Sequence, residues 1–469
     1  MFASAHVQPF PQRDLRNAGP VVSFGSSARC LRRPLPAVSL LRICPVAVAR
    51  LSFSQHLLLV AVLTTGALAF IAARNWDTVS MMLDNASSMN EGASAAQAIR
   101  SPDDLLAYIA QHPDQVSLTA YDLNTPADGV YYQPDAPRAL TRIPILQLLA
   151  DYAEGVAEGT VDPTRRVPVS ALGVYALPGV NQSSHEQMVE QWRTSGRIDA
   201  AETVALADVM EYAARTGGRT PSDWWMMERG PDTVAVLPGR LGLSESEPPL
   251  PLTGRTLLGR EEPPERLQTM DTDGIREAAF GLTQRLQQDA SFRTQQRQQF
   301  DADGSNLTLE TQRDIALAVY PSGTTRNYAA LLARIAQGRS FSEATTLQLH
   351  DMLERPVAVP DSVQAPFASV ATYGGASPGL MSFVGYARYD DGRSPRVVAL
   401  LMDGVPIAVM YHLLQTGIDK GFQLQLLSEE GYLQRVREAL ADSSAPSASA
   451  VTAPGAPLTE PALHPDAGG

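Results

Sequence analysis

Two positions, three residues apart, frame the chemistry this chain could do. Thr141 stands at the head of the apolar stretch "RALTRIPILQLLADYAEGV" (138–156), and Pro144 stands one helical turn further on. A hydroxyl at a helix start, with a lysine one turn along to take its proton, is an arrangement for attacking acyl groups. Here the second position carries no ionisable group. A free aliphatic hydroxyl is a poor nucleophile near neutral pH without an adjacent base. The best substitute base is His185, in the polar run "NQSSHEQ" beside Ser183 and Ser184; the competing reading is a solvated loop histidine. His350 and His412 fall on helices, as surface or packing residues. No His-x-x-x-His pair or Asp/His cluster has metal-ligand spacing, so neither metal nor cofactor is expected. "DADGSN" (301–306) has a calcium-loop flavour but lacks the full spacing and the closing glutamate. Trp224 and Trp225, adjacent on a helix, point in different directions, which suits core packing with one ring exposed better than a stacking platform.

The elements that must position these residues can be read along the chain. "SPDDLLAYIAQHPD" (101–114) is a helix with Ser101 as cap, Pro102 in its first turn and two acids behind it. "VSLTAYDL" (116–123) alternates as a strand, and "GVYYQP" (129–134) returns after a turn carrying Pro126, Asp128 and Gly129. In the helix that follows, Ile143, Leu146, Leu149, Ala150 and Ala153 keep helical spacing. Pro144 is tolerated only in its first turn, which places the start between Thr141 and Ile143. From about 160 to 335 no clear strand stands out; helical patterns cover 184–194, 201–214, 222–229, 273–299 and 308–319, with proline-rich loops at 246–254 and 260–265. A helix over 340–356 with Ser342 as cap precedes strands over 367–375, 380–390 and 395–404, then helices over 406–420 and 428–440. This order predicts an α/β fold of the α+β kind. A five-stranded antiparallel sheet is flanked by helices, and an all-helical lobe is inserted between strands 2 and 3. A cleft between sheet and lobe is the expected ligand site.

Composition narrows the field further. The 469 residues carry a formal charge of −13, and of the 37 basic residues Lys420 is the single lysine. Any mechanism that needs two lysines is therefore excluded. Seven arginines precede residue 74 with Asp14 as the one acid there, so the body is more acidic than the whole chain and offers no footprint for nucleic acid. Both cysteines, Cys30 and Cys44, lie in the N-terminal extension, which leaves the body without a disulfide, thiol nucleophile or Cys-based metal site. The domains expected are a basic extension (1–56), an apolar segment (57–73), a linker (74–100), a body (101–441) and a Pro/Ala/Ser tail (442–469). "LLLVAVLTTGALAFIAA" (57–73) reads either as a signal peptide, with "ALA" at 67–69 as the cleavage site, or as an uncleaved inner-membrane anchor. The arginines ahead of it keep the N-terminus cytoplasmic and send the body to the periplasm or another extracytoplasmic space.

Three phrases in this order carry a resemblance. They are "YYQPDAPRALTRIPILQLLADYAEGVAEGTVDP", "LADVMEYAARTGGRTPSDWWMMERGPDTVAVLPGRLGL" and "FASVATYGGASPGLMSFVGYARYDDGRSPRVVALLMDGVP". Over about residues 100–425 they resemble the class A serine β-lactamase and penicillin-binding-protein superfamily, which implies a β-lactamase/transpeptidase-like fold. That family's chemistry uses Ser-x-x-Lys, Ser-Asp-Asn and Lys-Thr-Gly. The positions that match are Thr141-Arg142-Ile143-Pro144, then Ala214-Arg215-Thr216, then Tyr373-Gly374-Gly375. With a gap, Ser222-Asp223 falls on the second motif instead, followed by Trp224. The family's carboxylate loop has no counterpart; "PPLPLTGRTLLG" occupies that part of the chain.

What the resemblance implies is a serine-hydrolase fold without its hydrolase apparatus. The first expectation is a non-catalytic binding module, a pseudoenzyme, whose cleft takes a cell-wall-derived or peptide ligand or an envelope protein. Thr141, Arg142, Arg215, Thr216, Tyr373, Gly375 and Ser377 would line it, and the arginines would suit a carboxylate. The second is a divergent β-lactamase-type hydrolase with Thr141 as nucleophile. The third is a structural envelope protein with a closed cleft.

Overall fold

Alternation in the strands decides which residues meet across the sheet. The structure, a computed structural model, describes residues 85–303, 307–355, 367–429 and 431–441. The basic extension, the apolar segment 57–73 and the tail from 442 lie outside them. The expected linker is partly described and is not a bare tether: Ala93–Ala98 forms a short helix (α1), and Ala96 and Ile99 are buried. Helix α2 (Pro102–Gln111) follows, with the Ser101 hydroxyl accepting from Asp104 N–H as its cap.

The main sheet runs in the order β2-β1-β10-β9-β8-β7, every pair antiparallel. Its strands are β1 (Val116–Asp122), β2 (Val130–Tyr132), β7 (Glu354–Arg355), β8 (Phe367–Ser377), β9 (Leu380–Tyr389) and β10 (Arg396–Met402). The five expected strands are present, and the two-residue β7 adds an edge. On one face, Val116, Leu118 and Ala120 of β1 join Val398, Leu400 and Met402 of β10. They pack on Leu105 and Ile109 of α2 and on the C-terminal helices. On the other face, Val397, Ala399 and Leu401 pack toward the inserted lobe. This period-two division gives the protein two apolar layers on one sheet.

The insertion between β2 and β7 is helical but holds two short ribbons, which corrects the reading of no strand there. Arg138–Ala139 (β3) pairs with Ser322–Gly323 (β6), and Arg166–Pro168 (β4) with Thr203–Ala205 (β5). Pairs this short alternate too few residues to show in a sequence pattern. The helices that bear on the site are α3 (Ile145–Ala157), α4 (Gln182–Thr194), α5 (Leu206–Thr216), α6 (Arg219–Arg229) and α7 (Leu252–Glu261). The expected helix over 273–299 is two, α8 (Thr272–Gln288) and α9 (Ala290–Asp303). Asp289 between them accepts from Ser291 N–H and Phe292 N–H, a capping geometry that restarts the helix. Next come α10 (Leu309–Val319) and α11 (Thr325–Gln337), then α12 (Glu343–Leu353) with the expected Ser342 cap. The expected helix over 406–420 is also divided. Gly417, at φ 69°, ends α13 (Ile407–Thr416) ahead of α14 (Ile418–Ser428), and α15 (Tyr432–Ala441) closes the body.

Candidate functional site: a buried hydroxyl pair and its arginine neighbours

Thr141 is held by what precedes it. The buried Arg138 donates through Nη1 to Asp403 Oδ1 at 2.9 Å and through Nε to Ser117 Oγ at 3.0 Å, while Ala139 N–H donates to Asp403 Oδ2 at 3.1 Å. Burial raises the Asp403 carboxyl above its ordinary range, opposed chiefly by Arg138. The chain then enters α3 through a tight turn. Ile145 N–H donates to Arg142 O at 3.1 Å, Leu146 N–H to Ile143 O at 3.0 Å and Gln147 N–H to Pro144 O at 3.0 Å. Because Pro144 has no N–H, it sits as the cap, and α3 begins at Ile145, slightly later than the sequence pattern places it.

The Thr141 hydroxyl does not face a base. Thr141 is 5% exposed, its N–H donates to Ser382 Oγ at 3.0 Å, and its Oγ1 lies 3.1 Å from the same Ser382 Oγ. Ser382, on β9, is itself buried. Two hydroxyls share one hydrogen bond, and neither has a histidine, lysine or carboxylate as partner among the described residues.

Arg142 occupies the space beside this pair. Its Nη1 donates to the carbonyl of Thr216 at the end of α5. A Cβ at Gly375 would stand 2.8 Å from Arg142 Nε and 3.2 Å from Thr141 Oγ1; one at Gly217 would stand 2.5 Å from Arg142 Cδ. Gly217 also has φ 63°, so both its backbone and its surroundings call for glycine. Arg142 thus lies between β8 and the α5–α6 junction. Tyr373, buried on β8, makes a second tie by donating its hydroxyl to Ala213 O at 3.3 Å. Burial pushes the Tyr373 phenol well above its ordinary value, with Arg142 opposing.

Several expectations are corrected by these contacts. Gly375 admits a close approach, but the group that makes it is the chain's own Arg142. The Tyr373 hydroxyl bonds backbone, and the Thr216 hydroxyl donates back to Tyr212 O at 2.7 Å. Arg215 is exposed and pairs with Glu211 at 2.7 Å, one turn back on its own helix. Ser377 accepts from Tyr320 Oη at 3.3 Å. The structure therefore brings Thr141, Arg142, Thr216, Tyr373 and Gly375 together, reaches Ser377 through Tyr320, and turns Arg215 outward. His185 is not in a loop: it lies half-buried on α4 with Nδ1 3.2 Å from Thr220 Oγ1. Burial lowers its pKa, with Glu186 opposing and Arg297 adding to the shift. Trp224 and Trp225 are both buried, so neither ring is free to stack on a ligand. Ser222 donates to Gly218 O at 2.7 Å.

A second group on the lobe side was not anticipated. Asp223, fully enclosed on α6, accepts from Leu252 N–H at 2.8 Å and from Thr253 N–H at 2.8 Å and hydroxyl at 2.5 Å. It thereby caps the first turn of α7, which carries Arg255. Burial raises the Asp223 carboxyl, against the Thr253 and Leu252 donors. Arg255 is 8% exposed, and its guanidinium lies 4.0 Å from the centre of the Tyr320 ring. Arg219, at the start of α6, donates to Val180 O at 3.3 Å. Burial lowers its pKa, with Arg142 and Arg255 adding to the shift and Tyr320 and Asp223 opposing it. The signal available in the sequence was an arginine set on one helical face with Leu252 and Leu258, two positions that are otherwise apolar.

No family model matches the chain, and no curated protein matches it. Among solved structures it is similar to class A and other β-lactamases. The β-lactamase from Sphaerobacter thermophilus is 15% identical at a TM-score of 0.40, over 72% of this chain and 96% of that one. The β-lactamase from Chitinophaga pinensis is 11% identical at 0.41, over 68% and 99%. An ancestral class A β-lactamase is 13% identical at 0.40, over 68% and 97%. Likeness at this level carries neither activity nor site residues to this chain, whose chemistry rests on its own side chains.

Proposed function

We propose that this protein is a non-catalytic binding module, a pseudoenzyme with a β-lactamase-like body and no acyl-transfer chemistry. The observation that carries the reading is the pairing of Thr141 Oγ1 with Ser382 Oγ at 3.1 Å. A hydroxyl can accept that hydrogen bond but is too weak a base to take the proton. Loss of one member of a nucleophile–base unit typically costs several orders of magnitude in rate. Pro144 fills the place where a lysine would act, and Arg142, a permanent cation, cannot serve as a base. The ligand in this reading is cell-wall-derived or a peptide. The apolar segment 57–73 with its preceding arginines supports export or anchoring at the inner membrane. A second reading, a structural envelope protein, is favoured by the Arg142 and Tyr373 ties that bind β8 and the start of α3 to the end of α5.

Turnover of a chromogenic cephalosporin by the purified chain tests the proposal. The expected rate equals that of buffer alone. A rate above buffer that is lost in Thr141→Val would establish the hydrolase instead.

A further inference from the structure

A cavity of about 370 Å³ opens to the surface between the end of α7 and α9, lined by Arg260, Glu261, Gln295, Gln296 and Gln299. Its size falls within that of small-ligand sites, roughly 300–1,000 Å³. The α9 wall is built from "TQQRQQF" (294–300), and the inward stripe of this helix runs Phe292, Gln296, Phe300. Both phenylalanines are buried in an apolar cluster with Leu257 of α7 and Leu286 of α8. Gln296 between them is 5% exposed, and its Oε1 has no hydrogen-bond partner among the described residues. Packing alone would favour a leucine there, which fills such a stripe without leaving a buried acceptor unmatched.

The remaining groups brace the cavity or face solvent. Arg260 Nη2 donates to Gln299 O at 3.3 Å, and its guanidinium lies 4.6 Å from the centre of the Phe300 ring, which holds α7 against α9. Glu261 and Gln295 are exposed, and Gln299 is half-buried. A carboxamide both donates and accepts, a guanidinium only donates and a carboxylate only accepts. The lining therefore presents donors and acceptors together, one charge of each sign, and no apolar side chain. It suits a neutral ligand rich in hydroxyls, each of which also donates and accepts. The terminal torsion of a glutamine is soft, so the Gln296 amide can turn toward such a ligand without moving its helix.

We propose that the cavity between α7 and α9 is a binding site for a neutral polyhydroxylated ligand, a small sugar, with Gln296 as the buried anchor of its hydrogen bonds. The inference deepens the binding-module reading and rests on it only in that the sugar is bound and released unchanged.

Equilibrium dialysis of the full chain with radiolabelled glucose, N-acetylglucosamine and acetylglycinamide tests the site. Saturable one-to-one binding of at least one of the two sugars is expected, and acetylglycinamide, which has amides but no hydroxyls, should not saturate. Gln296→Leu, a residue the apolar stripe accommodates, should weaken sugar binding ~10-fold through loss of a buried hydrogen-bonding group. Gln299→Ala and Gln295→Ala should weaken it by smaller factors. Gln298→Ala, exposed on α9 and outside the lining, should leave it unchanged. If Gln296→Leu does not fold, Gln299→Ala and Gln295→Ala carry the same comparison. Absence of saturation by both sugars overturns the site, as does saturation by acetylglycinamide to the same degree, which would assign amide recognition instead. Parental affinity in a folded Gln296→Leu also overturns it, or in both other variants where that one does not fold, and so does an equal loss in Gln298→Ala. Any of these failures leaves the absence of cephalosporin turnover standing. Conversely, turnover lost in Thr141→Val would overturn the binding-module reading while leaving the dialysis result intact.

Discussion

Two neighbouring regions of the body, the sheet side around Thr141 and the lobe side around Arg255, treat their polar groups differently. On the sheet side, Thr141 is bonded to Ser382, Tyr373 to Ala213 and Arg142 to Thr216. On the lobe side, Arg255 keeps two buried donors unmatched. Buried polar groups in native proteins are normally paired, so each exception marks a place where the fold pays a desolvation cost. The bonded groups around Thr141 hold the fold there, whereas Arg255 is a local exception to the rule.

The sharpest way to break this contrast is to remove one group from each region. Ser382→Ala leaves the Thr141 N–H buried without an acceptor and is expected to cost about 2 kcal/mol in a urea unfolding experiment. Arg255→Met replaces an unmatched buried cation by an apolar chain of similar length. It should stabilise the fold by roughly 1 kcal/mol. Opposite signs at the two positions sustain the contrast; a loss at both would make Arg255 an ordinary structural residue. Gly217→Ala tests the Arg142 tie. A Cβ there meets Arg142 Cδ at 2.5 Å at φ 63°, and left-handed backbone alone costs an alanine roughly 1 kcal/mol. Its unfolding midpoint should fall by less than that of Ser382→Ala.

The smallest effect is a pH dependence on the lobe side. Burial against Thr220 lowers the His185 pKa, so the unfolded chain binds its proton more readily than the folded one. Stability is then complete above the ordinary histidine value of about 6.5 and declines as pH falls through it toward the depressed folded value. Unfolding midpoints measured from about pH 7.5 down to about pH 5 should show this slope, and His185→Gln should flatten part of it. An unchanged slope in that variant would place the pH dependence elsewhere.

Local rules made much of the fold legible. Alternation marks β1, β8, β9 and β10, and the Ser101 and Ser342 caps fall where hydroxyl residues precede apolar periodicity. Even the breaks at Asp289 and Gly417 carry local signals, a capping acid and a glycine. The site was only half legible. Its strands and helices placed Thr141, Arg142, Tyr373 and Gly375 together, but not what each side chain would bond. That Arg142 would itself take the space beside Gly375 depends on Thr216 and Gly217, some 75 residues away in the chain. His185 read as a loop residue because "NQSSHEQ" is polar throughout, whereas its helix needs only Met188 and Trp192 to anchor it. Arg255 escaped notice because its neighbours, Tyr320 and Asp223, lie on other elements.

The claim on which the account depends is that the buried Thr141 hydroxyl cannot be acylated. Intact-mass measurement of the full chain after prolonged incubation with a fluorescent penicillin addresses it directly. No mass increase on the protein is predicted; an ester-linked penicilloyl adduct mapped to Thr141 and absent from Thr141→Val would contradict it.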